Sequence, residues 1–220
     1  MRRTLAPTGH PLWTDSLGPI EVRFVGRGAG DRAEAASAAG TPAQLAWSRQ
    51  IHSARVLEAA PGGCGQGDAL TTRSTGLALS VVTADCVPVL VGGEAEIASI
   101  HAGWRGIAAG IVGATLSRLG SPPDRMTAWL GPAIGRCCYE VGDDVADRVA
   151  AASEPTVTLP GSGERPHLDL LAAVESQLRR AGVERVHKVP ECTRCSSEIL
   201  WSYRRDGPAA GRNLAFIWLR

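Results

Sequence analysis

The sequence predicts a mixed α and β domain rather than a regular alternation of strands and helices. Its 220 residues are 44% hydrophobic and 20% charged, which is enough apolar surface for a sizeable core. Apolar runs in the middle of the chain first have the residue types of strands and then change to helical spacing. Turn residues separate neighbouring strand-like runs, which indicates hairpin as well as helical connections. We therefore expect one domain over residues 1–220.

The first clear elements lie in the middle of the chain. Residues 77–82 are apolar, residues 87–91 follow, and a Gly-Gly-Glu turn leads into residues 97–100. Apolar side chains then recur at helical spacing over residues 107–119, and Gly120 ends that pattern. The sequence thus predicts three strands followed by one helix.

The second half of the chain contains both types of element again. Residues 126–130 form an apolar run that is typical of a buried strand. Residues 168–181 are amphipathic and Gly182 supplies a C-cap, so they predict a helix. Residues 183–189 and 214–219 predict two further strands.

Charge and targeting signals narrow the class of protein. The 23 basic and 22 acidic side chains give a net charge of +1, without the basic excess of a nucleic-acid-binding protein. Arg2 and Arg3 precede no apolar run, so we expect neither a signal peptide nor a membrane span. We expect a cytoplasmic protein that acts on a small molecule, without a nucleic-acid or membrane partner, whose cysteines are free thiols or metal ligands.

Polar side chains interrupt the apolar strands at two places. Asp85 and Cys86 follow one predicted strand, and His101 ends another. A buried ionisable side chain at a strand end needs a partner, and neighbouring strands of one hairpin bring such side chains together. This pattern predicts that Cys86 and His101 lie near each other.

His52 completes a possible set of metal ligands. Two imidazoles and one thiolate suit Zn²⁺ and leave a fourth position open for water or substrate, and Cu²⁺ accepts the same set. The spacing of His52, Cys86 and His101 along the chain fits no zinc finger. Each residue alone is typical of an ordinary core or surface position, so both interpretations stay open on the residues alone.

Arginines near these residues indicate where an anion could bind. Arg105 lies between the strand of His101 and the helix predicted from residue 107, where free backbone N–H groups attract phosphate or carboxylate. Arg204 and Arg205 precede an aspartate and a glycine, which is typical of an anion-binding loop and equally of a surface turn. Arg105 is our first candidate for phosphate, with Arg204 and Arg205 second.

The remaining cysteines form no clear metal motif. Cys192 and Cys195 make one CxxC pair, but a structural zinc site needs a second pair, and the adjacent Cys137 and Cys138 lack that spacing. The pair also lies too late in the chain for a thioredoxin-like motif. We expect Cys64, Cys137, Cys192 and Cys195 to be free thiols, and the sequence indicates no role for Cys138.

Several sequence strings occur in an order that resembles one known family. They are QIH at 50–52, TADCVP at 83–88, HAGWRG at 101–106, GPAIG with CYEVG within 131–142, and SYRRDG at 202–207. Together they resemble the laccase-domain family, also called the YfiH/YlmD or DUF152 family of purine nucleoside phosphorylases. The HAGWRG and SYRRDG strings are highly specific, and the resemblance covers nearly the whole chain.

The resemblance implies a fold, a metal and an activity. The family fold is α+β, with mixed β-sheets packed as a sandwich and flanked by helices. Its metal ligands correspond to His52, Cys86 and His101, with zinc as the usual metal and copper associated with oxidase activity. The family is associated with phosphorolysis of adenosine, inosine and methylthioadenosine and with adenosine deamination. Some members are called polyphenol oxidases, and a bacterial branch is associated with editing of UDP-MurNAc peptidoglycan precursors.

We therefore expect a zinc-dependent purine nucleoside phosphorylase with adenosine deaminase side activity. His52, Cys86 and His101 would hold Zn²⁺, Arg105 would hold phosphate, and Asp85 would carry a proton or orient a ligand. The alternatives are a metal-independent Cys/His amidohydrolase acting on UDP-MurNAc precursors, a copper-dependent polyphenol oxidase, and a zinc-stabilised binding module. One metal with this ligand set has no evident route to four-electron reduction of oxygen, which disfavours the oxidase.

The chain also departs from the family pattern. Residues 26–40 lack the family's Gly-Gly-x-Ser turn and Asn-Leu-Gly string, and we expect a loop and a short helix there. Ser53 stands where glycine is common, and residues 209–211 alter the usual turn after the SYRRDG string. These departures leave the preferred substrate open.

Overall fold

The chain folds into two large β-sheets with short helices, and the computed structural model describes residues 1–161 and 163–220. Over these residues the strands are β1 (Arg2–Leu5), β2 (Pro11–Leu17), β3 (Ile20–Val25), β4 (Gln44–Arg49), β5 (Val56–Glu58), β6 (Gly62–Gln66), β7 (Ala69–Thr72), β8 (Leu77–Thr83), β9 (Val87–Gly92), β10 (Ile97–Ala102), β11 (Thr127–Leu130), β12 (Thr158–Leu159), β13 (His167–Leu168), β14 (Arg185–Lys188) and β15 (Asn213–Leu219). The helices are α1 (Arg32–Ala39), α2 (Trp104–Ala108), α3 (Ile111–Leu116), α4 (Asp143–Ala152), α5 (Leu170–Arg180) and α6 (Tyr203–Asp206). In this part of the chain, no helix combines the length and hydropathy that a bilayer crossing requires.

Both large sheets are mixed. Within the described residues, one sheet has the strand order β1-β2-β3-β15-β8-β4-β6 and the other has the order β14-β11-β9-β10-β7-β5. Most neighbours are antiparallel, but β4 runs parallel to β6 and β8, and β5 runs parallel to β7. In the second sheet, β11 and β14 are also parallel neighbours.

Alternate side chains of the central strands face different cores, because successive residues of a strand point to opposite faces. In β15, Ile217 packs between the two sheets, whereas Phe216 packs with the alanines of α1. In β9, Leu90 faces the space between the sheets, whereas Val89 and Val91 pack with α2, α3 and α5. The layers are therefore α1, the first sheet, the second sheet and the remaining helices. The predicted α+β sandwich is confirmed.

The elements with the strongest apolar patterns agree with the sequence prediction. Strands β8, β9, β10, β11, β14 and β15 begin and end within two residues of the predicted bounds. Helix α5 also agrees, and the Asp169 side chain caps it by accepting from the Ala172 N–H at 2.9 Å. The short helix expected within residues 26–40 is α1, which starts at an Asp31–Glu34 capping box.

The prediction of one helix over residues 107–119 was wrong. Helix α2 begins earlier, at Trp104, and a second helix starts at Ile111, because Gly110 between them has a φ of 77°. This left-handed conformation is accessible to glycine and interrupts a helix. Arg105 therefore lies inside α2 instead of in a turn before it. A helix of five residues has too little macrodipole to form an anion site at its N-terminus.

Candidate metal centre and pocket

His52, Cys86 and His101 meet where the chain passes between the two sheets. Cys86 lies in the short segment that leads from β8 in the first sheet to β9 in the second. His101 is in β10, opposite Pro88 of β9, and His52 follows β4. The Nε2 atom of His52 is 4.0 Å from the Cys86 Sγ, and the ligand atoms of all three residues lie within 4.8 Å of one another. The structure thus brings together the three predicted ligands.

A buried carboxylate, Asp68, holds both histidines in place. Its Oδ1 accepts a hydrogen bond from His101 Nδ1 at 2.9 Å and from the backbone N–H of His52 at 2.9 Å. Its Oδ2 accepts from the backbone N–H and the hydroxyl of Ser53, each at 2.7 Å. Because Nδ1 of His101 is engaged in this way, its Nε2 remains for a metal ion, which is the usual carboxylate–histidine–metal arrangement.

The contacts among Asp68, His101, Cys86 and their neighbours shift the pKa of each of these three side chains so that its charged form is favoured. Burial raises the pKa of Asp68, but the hydrogen bonds from His101 and Ser53 outweigh this effect and hold it well below its usual range. Burial lowers the pKa of His101, but its bonds to Asp68 and Cys86 raise it to about 9. Burial raises the pKa of Cys86, but its contacts with His101 and His52 lower it to about 7. A thiolate is therefore accessible near neutral pH, and a thiolate is both the metal-binding and the nucleophilic form of cysteine.

The backbone around the ligands is strained and crowded. Among the described residues, the non-glycine positions with positive φ are His52, at 59°, and Asp85, at 106°. Such conformations cost about 1–3 kcal/mol each and cluster at functional sites. A Cβ atom on Gly103 would lie 3.0 Å from the Cys86 Sγ and 3.0 Å from the His52 Cδ2, so glycine is needed here for close approach.

The three side chains fit a zinc ion. A tetrahedral Zn²⁺ with Zn–S of about 2.3 Å and Zn–N of about 2.0 Å holds sulfur and nitrogen about 3.5 Å apart. The Cys86–His52 separation of 4.0 Å is close to this value. Two nitrogens and one sulfur leave a fourth coordination position, as in catalytic zinc sites.

The three ligands line a cavity of about 640 Å³, a size typical of small-molecule pockets. Its wall carries arginine and aromatic side chains from α2, α6 and the neighbouring loops. The other lining residues are Ser48, Gln50, Val82, Thr83, Ala84, Asp85, Trp104, Arg105, Tyr139, Tyr203, Arg204 and Arg212.

The predicted phosphate-binding arginines have different environments. The Arg105 guanidinium is exposed to the cavity and stacks on the Trp104 ring, 4.4 Å from its centroid. Arg204 lies 5.1 Å from the centroid of the Tyr139 ring and also lines the cavity. Arg205 does not line it: its guanidinium donates to the Leu200 carbonyl at 2.8 Å and pairs with Asp206 at 2.7 Å. Of the three predicted arginines, Arg105 and Arg204 therefore line the cavity, and one guanidinium nitrogen of Arg204 also donates to the Glu140 carbonyl at 2.9 Å.

Asp85, which directly precedes the proposed ligand Cys86, is hydrogen-bonded to the C-terminal part of the chain. Its Oδ1 accepts from the Thr193 hydroxyl at 2.6 Å, and its Oδ2 accepts from the Arg204 N–H at 2.6 Å. Both oxygens of this carboxylate thus hold loops in place. Of the two roles expected for Asp85, this arrangement favours orientation over proton transfer.

Some residues of the site were not predicted. Asp68 was missed, although an acidic residue directly before the apolar pair Ala69-Leu70 is an unusual signal. Tyr139 and Arg212 were missed because their loops come near the ligands through tertiary structure alone. A second cluster, which the spacing along the sequence did not indicate, is formed by Cys137, Cys138, Cys192 and Cys195.

Comparisons with known proteins agree with this architecture. A family model described as multi-copper polyphenol oxidoreductase laccase matches residues 27–220. A protein of Escherichia coli K12 named purine nucleoside phosphorylase YfiH is 34% identical over 217 residues, which cover 93% of this chain and 89% of that one. A purine nucleoside phosphorylase of Streptomyces coelicolor is 41% identical over 187 residues, covering 81% and 76%. A crystal structure from Neisseria meningitidis superimposes with a TM-score of 0.83 at 32% identity, covering 94% and 98%.

Proposed function

This chain belongs to the laccase-domain family of YfiH-like proteins, and we propose on that basis that it is a metal-dependent purine nucleoside phosphorylase. The observation that supports this most directly is the position of His52, Cys86 and His101 in the wall of a cavity that also contains Arg105 and Arg204. The proposed substrates are adenosine, inosine and methylthioadenosine together with inorganic phosphate.

In the proposed reaction, a phosphate oxygen bonds to C1′ of the ribose as the C1′–N bond to the purine breaks. The purine leaves with the bonding electrons and takes up a proton. The other product is ribose 1-phosphate, or 5-methylthioribose 1-phosphate when the substrate is methylthioadenosine. The protein must therefore bind a phosphate dianion beside the sugar and keep both reactants oriented. Zn²⁺ held by His52, Cys86 and His101 would supply an electrophile in the pocket.

The arginines meet the demand for anion binding. Arg105 and Arg204 reach the cavity from α2 and α6, and each guanidinium can form paired hydrogen bonds with phosphate oxygens. Their stacking on Trp104 and Tyr139 limits the orientations of the two side chains before phosphate binds. Less conformational entropy is then lost on binding.

An aromatic side chain at the same pocket suits the purine. Tyr203 lines the cavity and is 55% exposed, so its ring is accessible to a ligand. Its ring could stack on a planar base and enclose it from one side. The same binding mode places adenosine near the metal centre, so we include adenosine deamination as a side activity of this pocket.

A second candidate is supported by the chemistry of Cys86. The Cys86 thiol lies beside two imidazoles and has a pKa of about 7, which is also typical of an activated thiol nucleophile. A metal-independent amidohydrolase would use this thiolate to form an acyl-enzyme with an amide substrate such as a UDP-MurNAc precursor. Activity that persists in metal-free protein, together with a trapped adduct on Cys86, would favour this candidate over the phosphorylase.

A panel of substrates tests the proposal. Purified protein is incubated with each nucleoside, with and without phosphate, and released bases are separated by chromatography while metal content is measured in parallel. We expect phosphate-dependent release of the base, with loss of turnover and of the metal of this site in Cys86→Ala. The control is Cys64→Ala, because Cys64 lies in β6 and outside the pocket lining. Full turnover in a metal-free Cys86→Ala protein would contradict the proposal.

A further inference from the structure

Four cysteines from two distant parts of the sequence form a second cluster. Cys137 and Cys138 lie in the loop between β11 and α4, and Cys192 and Cys195 lie between β14 and α6. Because β11 and β14 are parallel neighbours, the segments that leave their C-terminal ends start side by side. An isolated parallel bridge between Ala133 and Cys192 extends that pairing into the two loops.

The sulfur atoms have the spacing of ligands around one ion. All four lie within 4.8 Å of one another, with Cys138 to Cys195 at 3.3 Å and Cys137 to Cys195 at 3.7 Å. A tetrahedral zinc site with Zn–S of about 2.3 Å separates its sulfurs by about 3.8 Å. A disulfide requires about 2.05 Å. The distances therefore match a four-sulfur coordination sphere better than a bonded pair.

The surroundings provide support and access for an ion. The Gly135 N–H donates to the Cys192 Sγ at 3.2 Å, as backbone N–H groups do in many thiolate sites. Cys137 and Cys195 are exposed, so an ion can enter from solvent, while Cys138 and Cys192 are half-buried. The guanidinium of Arg205 donates to the carbonyls of Thr193 and Arg194, at 2.8 and 3.1 Å, and thus holds the CxxC loop in its conformation.

We propose that Cys137, Cys138, Cys192 and Cys195 form a second metal site, which binds one Zn²⁺ through four thiolates and leaves no open coordination position. Binding releases one proton from each thiol and requires no oxidant. A closed site of four cysteine ligands is structural in zinc proteins, in contrast to a three-ligand site that keeps a position for water or substrate.

The position of this site gives it a consequence for the pocket. Tyr139 follows Cys138 directly and lines the cavity. Thr193 follows Cys192 directly and donates its hydroxyl hydrogen bond to Asp85 at 2.6 Å. An ion bound by the four cysteines would therefore cross-link the two loops, as a disulfide does. It would fix the position of Tyr139 in one loop and of Thr193, which donates to Asp85, in the other.

Zinc stoichiometry tests the proposal separately from any enzymatic activity. Reduced protein is freed of metal, reloaded with excess Zn²⁺, desalted and analysed for zinc per chain. We expect two zinc ions in the wild type and in Cys64→Ser, and one in Cys86→Ala and in the double variant Cys192→Ser/Cys195→Ser. Two ions in the double variant would overturn the proposal. Equally decisive against it would be a single ion in the wild type that is lost in Cys86→Ala.

Cobalt substitution keeps the test decisive if the double variant does not fold. Cys86→Ala protein, whose second cluster is intact, is titrated with Co²⁺ alone. We expect one equivalent to produce the intense visible and near-ultraviolet absorption of a tetrahedral cobalt–thiolate centre, and Cys195→Ser to weaken it. Absence of this spectrum, or a disulfide between Cys138 and Cys195 in the metal-treated reduced protein, would overturn the proposal. Absence of phosphorolysis in wild-type protein that holds two zinc ions would instead count only against the proposed function.

Discussion

Gly103 contacts two of the three proposed ligands at the first metal centre, so alanine at this position is a sharp probe of that centre. Its φ of −80° and ψ of 166° are accessible to alanine, so the backbone itself tolerates the change. The added Cβ would lie 3.0 Å from the Cys86 Sγ and 3.0 Å from the His52 Cδ2. Since favourable contacts between such atoms are about 3.5–4.0 Å, both side chains must move by a few tenths of an ångström.

A displacement of this size exceeds what a metal site accepts, because ligand distances vary by only about 0.2 Å. We expect Gly103→Ala to weaken zinc binding at the first centre at least tenfold, equivalent to about 1.4 kcal/mol. Competition with a chromophoric chelator measures the affinity, and circular dichroism checks that the protein is folded.

Gly113→Ala is the matched control. Gly113 lies within α3, and a Cβ there would meet nothing within 4 Å. This change should stabilise the protein by about 0.5–1 kcal/mol through helix propensity and leave zinc affinity unchanged. A folded Gly103→Ala protein that binds zinc as tightly as the wild type would refute the assignment of Cys86 and His52 as ligands.

Three further predictions follow from particular contacts. Asp68→Asn replaces one of two acceptor oxygens by a donor, so we expect a loss of about 3 kcal/mol in the free energy of unfolding and a 10- to 100-fold loss of zinc affinity. The control is Glu94→Gln, at an exposed ion pair, which should change neither the free energy of unfolding nor the zinc affinity by a measurable amount. An equal effect of both substitutions would contradict the role of Asp68 in positioning the histidines. Arg105→Ala should raise the KM for phosphate about tenfold at unchanged zinc content, as expected for loss of one charge-assisted contact, and an unchanged phosphate KM would remove Arg105 from the site. Burial raises the pKa of Glu96, but hydrogen bonds from Ser121 and Arg73 lower that pKa overall. The stability that Glu96 adds relative to Glu96→Gln should therefore be complete above about pH 4.3, the pKa of an unperturbed glutamate, and should shrink as the pH falls further. If urea unfolding gives the same difference in stability between the two proteins at neutral and at acidic pH, the prediction is contradicted.

The parts of the fold that the sequence predicted are those whose stability comes from long apolar runs. Strands β9 and β15 are buried along their whole length, so nearly every residue is apolar and the pattern is clear. The early strands lack such runs. Strand β1 is an exposed edge strand, and β6 has the sequence GGCGQ, which has low strand propensity and is held in place by its pairing with β4.

The sequence indicated candidate ligands where individual side chains have metal-binding chemistry. It did not indicate clusters that form only through tertiary pairing. His52, Cys86 and His101 have side chains that can bind a metal, but the residues alone left an ordinary core or surface role open, and the resemblance to the family assigned them as ligands. The cluster of Cys137, Cys138, Cys192 and Cys195 forms through the parallel pairing of β11 with β14, which no local pattern indicates. The break between α2 and α3 depends on the left-handed conformation of one glycine, which apolar periodicity does not reveal.

The central claim is that the pocket transfers the ribosyl group of a purine nucleoside to phosphate at a metal centre that includes Cys86. Phosphorus NMR of zinc-loaded protein with inosine or adenosine and inorganic phosphate tests it most directly. We predict one ribose 1-phosphate formed for each purine base released, with no conversion in Cys86→Ala and normal conversion in Cys64→Ala. Release of base without consumption of phosphate, or no release by fully metal-loaded wild-type protein, would contradict the claim.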